Sequence, residues 1–101
     1  LLEGQQKWEE SFQWLMKAAE WENCDALCGL AWYYANGKFV AEDHEKAAYW
    51  YQKAADLGDP VAQYQLGYRY SEGKGVTQDW NKAIHWFTKS ADSGNEDAIS
   101  D

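Results

Sequence analysis

The sequence predicts an all-α fold, a right-handed α/α solenoid built from helix-turn-helix repeats. Three observations carry that prediction. The first is an internal repeat of 36 residues that needs no gap. Ala26, Leu30, Tyr34, Gly37 and Val40 fall on Ala62, Leu66, Tyr70, Gly73 and Val76. Asp43, Lys46, Ala47, Trp50, Lys53, Ala55 and Gly58 fall on Asp79, Lys82, Ala83, Trp86, Lys89, Ala91 and Gly94. Self-similarity at this period is the mark of stacked repeats. The second is apolar residues recurring at helical spacing between glycines, with no run that alternates as a half-buried strand does. The third is composition: seven Trp, seven Tyr and three Phe among 101 residues, with a single Pro. Aromatics supply much buried area per residue, which suits a small helical unit and excludes a disordered chain.

The elements follow in order. Residues 6–21 read as a trailing half-unit, because Trp14, Lys17 and Ala19 stand 36 residues before Trp50, Lys53 and Ala55. Residues 23–58 form one unit. Asn23 starts its first helix, Ala26-Leu30-Tyr34 is the inner stripe, and Gly37 supplies a left-handed stop. Asp43 starts the second helix, whose stripe is Ala47-Trp50-Tyr51-Ala54-Ala55, and Gly58 ends it. Residues 59–94 repeat the pattern. Asp59-Pro60 is a start signal, since Asp caps free amides and Pro is preorganised for the first helical position. Ala62-Leu66-Tyr70, Gly73, Asp79, then Ala83-Trp86-Phe87-Ser90-Ala91 and Gly94 complete the unit. Residues 95–101 begin a further unit. One helix pair of this size cannot hide its own apolar stripe, so the units must stack as a single domain. Trp14, Trp50 and Trp86 recur in register and are expected in the core.

At these residues the chain resembles the Sel1-like repeats, relatives of the tetratricopeptide repeats. The similarity rests on Ala62-Gln63-Tyr64-Gln65-Leu66-Gly67, Tyr70, Gly73-Lys74-Gly75-Val76, Asp79, Lys82-Ala83, Trp86, Lys89, Ala91 and Gly94. It implies an α/α solenoid that binds other proteins, as an adaptor in signalling, bacterial envelope or host-interaction systems. Three positions depart from the pattern: Ala31 stands opposite Gly67, Phe39 opposite Gly75, and Glu22 where a Gly is expected. A non-Gly residue in a left-handed conformation costs about 1 kcal/mol. So either the first loop takes another path, or Phe39 finds a packing site that offsets the strain.

The charge balance excludes several functions. With 9 Lys+Arg against 17 Asp+Glu, the net charge is −8. That disfavours nucleic acid and anionic lipid as partners and favours a basic one. No stretch approaches the ~20 apolar residues of a spanning helix, and no secretory pattern opens the sequence. Cys24 and Cys28, four apart on a helix, sit too far apart for an unstrained disulfide and read as two reduced, mostly buried thiols. Two unpaired thiols lean towards a reducing compartment, while a periplasmic or secreted location stays open. Certain cysteine-rich secreted Sel1-like proteins staple their helix pairs by disulfides, and certain ones are described as binding β-lactams. The Cys24/Cys28 spacing does not match theirs, so neither property carries over.

Catalytic chemistry is not indicated. His44 falls in the first turn of a helix and His85 on an outer face, neither beside a nucleophile, so both read as surface residues. Cys24, Cys28 and His44 lack a fourth zinc ligand, and neither metal nor cofactor is expected. Gly73-Lys74-Gly75 lacks the spacing of a phosphate loop.

The outer stripe of the first helices carries the functional expectation. With Leu66 facing inward, Val61, Tyr64, Tyr68 and Ser71 lie on the opposite side, and Asp25, Cys28 and Trp32 hold the equivalent places one unit earlier. Asn36 and Glu72 add polar groups at the helix ends. These residues, on helices 24–36 and 60–72, are the expected binding groove for a protein or peptide, with large aromatics of the kind enriched at hot spots. Three alternatives stand beside this reading. One is a bacterial immunity or inhibitor protein that blocks a toxin or enzyme. Another is a piece of a longer scaffold, consistent with the half-unit and the absence of Met at Leu1. There residues 8–21 and 95–101 would expose interfaces and self-associate. The last is a hydrolase using His44 or His85.

Overall fold

The structure, a computed structural model, describes residues 3–92. Five helices follow one another: α1 (Glu3–Glu20), α2 (Cys24–Asn36), α3 (His44–Asp56), α4 (Pro60–Glu72) and α5 (Trp80–Asp92). No strand occurs among the described residues. Each helix packs on its predecessor and its successor, which makes an α/α solenoid. The expected stop at Gly94 and the start of a further unit at residues 95–101 lie outside the described residues.

The helix starts come from the predicted caps. Side-chain oxygens of Asn23, Asp43, Asp59 and Asp79 each accept from the backbone amide three residues on, all at 3.1 Å. Each satisfies one of the orphan amides of a first turn. Gly37 (φ 64°) and Gly73 (φ 68°) end α2 and α4 in the left-handed region, as predicted.

The two doubtful turns keep the repeat's path. Phe39 adopts φ 64° where Gly75 adopts 78°. The loop bonds are the same: Lys38 N to Tyr33 O and Asp43 N to Tyr34 O in one unit, Lys74 N to Arg69 O and Asp79 N to Tyr70 O in the next. Phe39 therefore takes the second of the two expected solutions, a packing site, with its ring 5.3 Å from that of Phe12. Glu22 likewise holds φ 57° at the turn where Gly58 holds 96°. Space separates the loops at one point. A Cβ at Gly75 would overlap the backbone of His44 and Glu45.

Leu27, Ala31, Tyr51, Ala54, Ala55, Ala62 and Leu66 form the core cluster, flanked by Ala19, Cys28, Trp50, Tyr70 and Trp86. Small residues at the seam let helices approach closely, and the aromatics close its sides. Lysines recur for a reason of packing. Lys46 lies 5.3 Å over the Tyr34 ring and Lys82 5.4 Å over Tyr70, while Lys53 and Lys89 lie over Trp50 and Trp86. These stems cover aromatic surface that the helices leave open.

The expectation for the three in-register tryptophans needs correction. Trp50 and Trp86 are half-buried, and Trp14 is 63% exposed. Trp50 and Trp86 have the first helix of their own unit beside them. Among the described residues α1 has no helix before it. The same effect operates at α5. Ala48 is buried under α4, yet its counterpart Ile84 is 60% exposed, because no described helix follows α5.

Truncating Leu66 to Ala opens a cavity at the centre of the core and should lower stability by about 2–5 kcal/mol, read from urea unfolding. Gly75→Ala should cost at least about 1 kcal/mol by the same measurement, through its positive φ and the blocked space. Val61→Ala, at an exposed position, should stay within roughly 0.5 kcal/mol.

Candidate functional site

The 36-residue register places chemically different side chains at equivalent points of two successive joints. At the α1–α2 joint the contacts are aromatic. Trp8 stacks on Trp32 at 6.1 Å and meets Tyr33 edge-on at 5.6 Å. Phe12 packs on Tyr33 and Phe39. One repeat later the same positions hold His44, Ala48, Tyr68, Arg69 and Gly75. There the Arg69 guanidinium lies 5.3 Å over the Tyr51 ring and donates to His44 Nδ1 at 3.3 Å. A guanidinium only donates, so Nδ1 accepts and Nε2 carries the proton, 2.8 Å from Glu42 Oε2. His44 thus lies at the surface with 35% of its side chain exposed and both ring nitrogens engaged; His85 is exposed, against Trp86. Arg69 is only 5% exposed, burial depresses its pKa, and its Nε has no partner among the described residues.

The structure divides the nine expected groove residues. Asp25, Trp32, Asn36, Val61, Tyr68 and Glu72 are exposed on α2 and α4. Trp32 keeps 42% of its surface open and Tyr68 38%. Asn36 donates to Trp32 O at 2.9 Å and half-buried Ser71 to Tyr68 O at 2.7 Å, so both amide and hydroxyl serve their own helix. Tyr64 is half-buried with its ring 5.4 Å from that of Phe87, which places it in the α4–α5 joint. Cys28 also leaves the set. It is half-buried beside the core, and its Sγ donates to Asp59 Oδ2 at 3.2 Å. The wheel projection misplaced Cys28 and Tyr64 because a second neighbour packs against that flank of each first helix. It also missed Trp8 and Phe39. Phe39 was signalled by its place opposite a glycine; Trp8 had no signal, since its counterpart is a histidine.

The arrangement offers binding surface and little enclosure. Two shallow depressions, one of about 210 Å³ bordered by Ala19, Leu27, Lys53 and Asp56 and one of about 320 Å³ bordered by Glu45, Gly73, Gly75, Val76 and Thr77, are both broadly open to solvent. Among the described residues no three His, Cys, Asp or Glu side chains are placed to hold a metal ion, and no helix is long and apolar enough to cross a membrane.

Comparison with known proteins agrees with this architecture. The Sel1 repeat matches residues 24–59 and 60–95. Among solved structures, Helicobacter pylori cysteine rich protein B is 39% identical over 88% of this chain, with a TM-score of 0.85. A Sel1 repeat protein from Oxalobacter formigenes is 44% identical over 87% of the chain, with a TM-score of 0.84. A protective antigen of uropathogenic Escherichia coli with the same type of fold is 38% identical over 85%, at 0.82. The chain spans 67%, 66% and 18% of these three proteins respectively. No curated protein is a match.

The two free thiols give a direct check on the joint. Burial, the hydrogen bond to Asp59 and its charge push the Cys28 pKa far above the usual thiol range; Cys24 is also raised, mainly by burial. Since the thiolate is the reactive form, iodoacetamide at about pH 8 should label Cys24 at least about ten-fold faster than Cys28. Cys28 should react only as urea opens the chain. Mass spectrometry reads both rates, and equal labelling would contradict the Cys28–Asp59 contact.

Proposed function

Because this chain belongs to the Sel1 repeat family, whose fold is a protein-interaction scaffold, we propose that it binds a protein or peptide across the exposed face of α2 and α4. The observation that carries the assignment is the pair Trp32 and Tyr68. They occupy equivalent places one repeat apart, and both remain exposed while the other aromatics of α2 and α4, Tyr33, Tyr34, Tyr64 and Tyr70, are buried or half-buried. Open aromatic groups on a rigid helical frame are the usual anchors of protein recognition. Asp25, Val61, Asn36 and Glu72 border them on the same helices. Trp8 and Phe39 extend the aromatic surface past the edge of the first-helix layer.

An inhibitor that blocks one enzyme is a special case of this reading and uses the same face. The alternative of a larger scaffold is favoured by a specific observation, the exposure of Trp14 on α1 and Ile84 on α5, at positions that repeats cover elsewhere. Such faces promote association between chains. A hydrolase finds no support in the geometry, because His44 is held between Glu42 and Arg69 and His85 stands against Trp86.

The test is recovery of a partner by affinity capture with the full chain, followed by quantitative binding. Trp32→Ala and Tyr68→Ala should each weaken that binding by about ten-fold or more, with helical circular dichroism unchanged. Folded variants that bind as tightly as the parent would move the contact surface elsewhere.

A further inference from the structure

We propose that the open indole of Trp32 is the seat for a cationic side chain of the partner, an Arg or Lys, with Asp25 holding a second cation farther along the same helix. This rests on the assignment of the α2–α4 face as the contact surface and adds what that face recognises.

The basic residues are sorted between the helix layers, while carboxylates occur on both. In α2 and α4 together the only basic residue is Arg69, which is buried and turned to Tyr51 and His44. The exposed charges on those two helices are Asp25 and Glu72. The remaining basic residues are lysines on the other helices and the loops. In a chain of net charge −8 this leaves the first-helix face open to a cation.

The molecule also shows how a cation sits on this face. Lys74 lies 5.7 Å from the centre of the Tyr68 ring. One repeat earlier the same two positions hold Lys38 and Trp32. Among the described residues no Lys or Arg lies over Trp32; Trp8 stacks against it instead and still leaves it 42% exposed. Indole is the aromatic ring that attracts cations most strongly. The second repeat therefore sets its own lysine beside a ring that stays 38% exposed, and the first repeat leaves the stronger receptor without a cation.

Spacing specifies the ligand further. Asp25 and Trp32 are seven residues apart on one helix, two turns, so they lie on one stripe about 10 Å apart along the axis. A peptide in the polyproline II conformation has three residues per turn and rises about 3.1 Å per residue, so residues three apart share a face at about that spacing. The recognised segment thus carries two cationic residues three apart, one over Trp32 and one beside Asp25.

The experiment titrates the full chain with acetyl-Arg-Gly-Gly-Arg-amide and follows the indole N–H resonances by NMR. Trp32 and Trp8 should shift saturably. The same peptide with citrulline in place of both arginines, neutral and nearly the same shape, should leave them unmoved. Trp32→Leu keeps every charge and should weaken binding by about two- to five-fold or more, and Trp32→Phe by less. Asp25→Asn should weaken it as well. Should Trp32→Leu fail to fold, the Phe variant and the citrulline control decide. Lys74→Ala should create a second response at Tyr68. A folded Trp32→Leu chain that binds the arginine peptide like the parent overturns the cation seat, as does the absence of any saturable shift. Equal shifts of Trp32 with arginine and citrulline peptides also overturn it, while leaving the α2–α4 face as a contact surface. Shifts at Trp14, Trp21 or Trp80 in place of Trp32, with both peptides, overturn the face itself.

Discussion

Close approach of helices along an alanine-lined seam is the constraint on which the rest depends. Ala26, Ala31, Ala47, Ala54, Ala55, Ala62 and Ala83 are all buried, and between them Leu27, Leu30 and Leu66 fill the remaining volume. Small side chains bring the helix axes near, so a few leucines and half-buried aromatics suffice to close the core. A helix pair of this kind leaves its far side uncovered, and the cure is another pair. That is why the exposed apolar groups Trp14 and Ile84 lie at the two ends of the described array.

Within that frame the backbone is repeated more faithfully than the side chains. The loops after α2 and α4 make matching hydrogen bonds although one contains Phe39 and the other Gly75. Holding Phe39 at positive φ costs on the order of 1–2 kcal/mol, and an aromatic pair such as Phe12–Phe39 returns a similar amount together with its buried area. Capping by Asp or Asn at four helix starts fixes the turn geometry irrespective of what the joint contains. The joints are therefore free to differ, one filled by stacked rings, the next by Arg69, His44 and Tyr51. Asp59 ties the two functions together, since one carboxylate caps α4 and accepts the Cys28 thiol.

The two helix layers divide their labour in charge as well as packing. Lysines of the second helices are occupied in shielding the aromatics at the side of the core, through long stems that tolerate water. The first helices hold Trp32 and Tyr68 exposed, and their only exposed charges are Asp25 and Glu72. A rigid frame that keeps amphipathic rings open without collapsing them is an economical base for recognition, because little is ordered on binding.

The sequence by itself determined the five helices of the described residues, the bounds of α2 and α4, the caps, the stops at Gly37 and Gly73 and the inward stripes. All of these follow from local chemistry repeated at a fixed period, and a repeat reports the same local problem twice. Only the tertiary structure decided which flank of each helix meets a second neighbour. Cys28 and Tyr64 project near Trp32 and Tyr68 on a wheel, yet the approach of the adjoining helices takes them into joints, to Asp59 and Phe87. Trp14 matches Trp50 and Trp86 in the pattern and differs from them in cover, because burial depends on what stands beside a residue and not on its place in the period. His44, read as a surface group, gains its partners from Arg69, 25 residues away. A helical wheel describes one helix in isolation; the joints are properties of pairs.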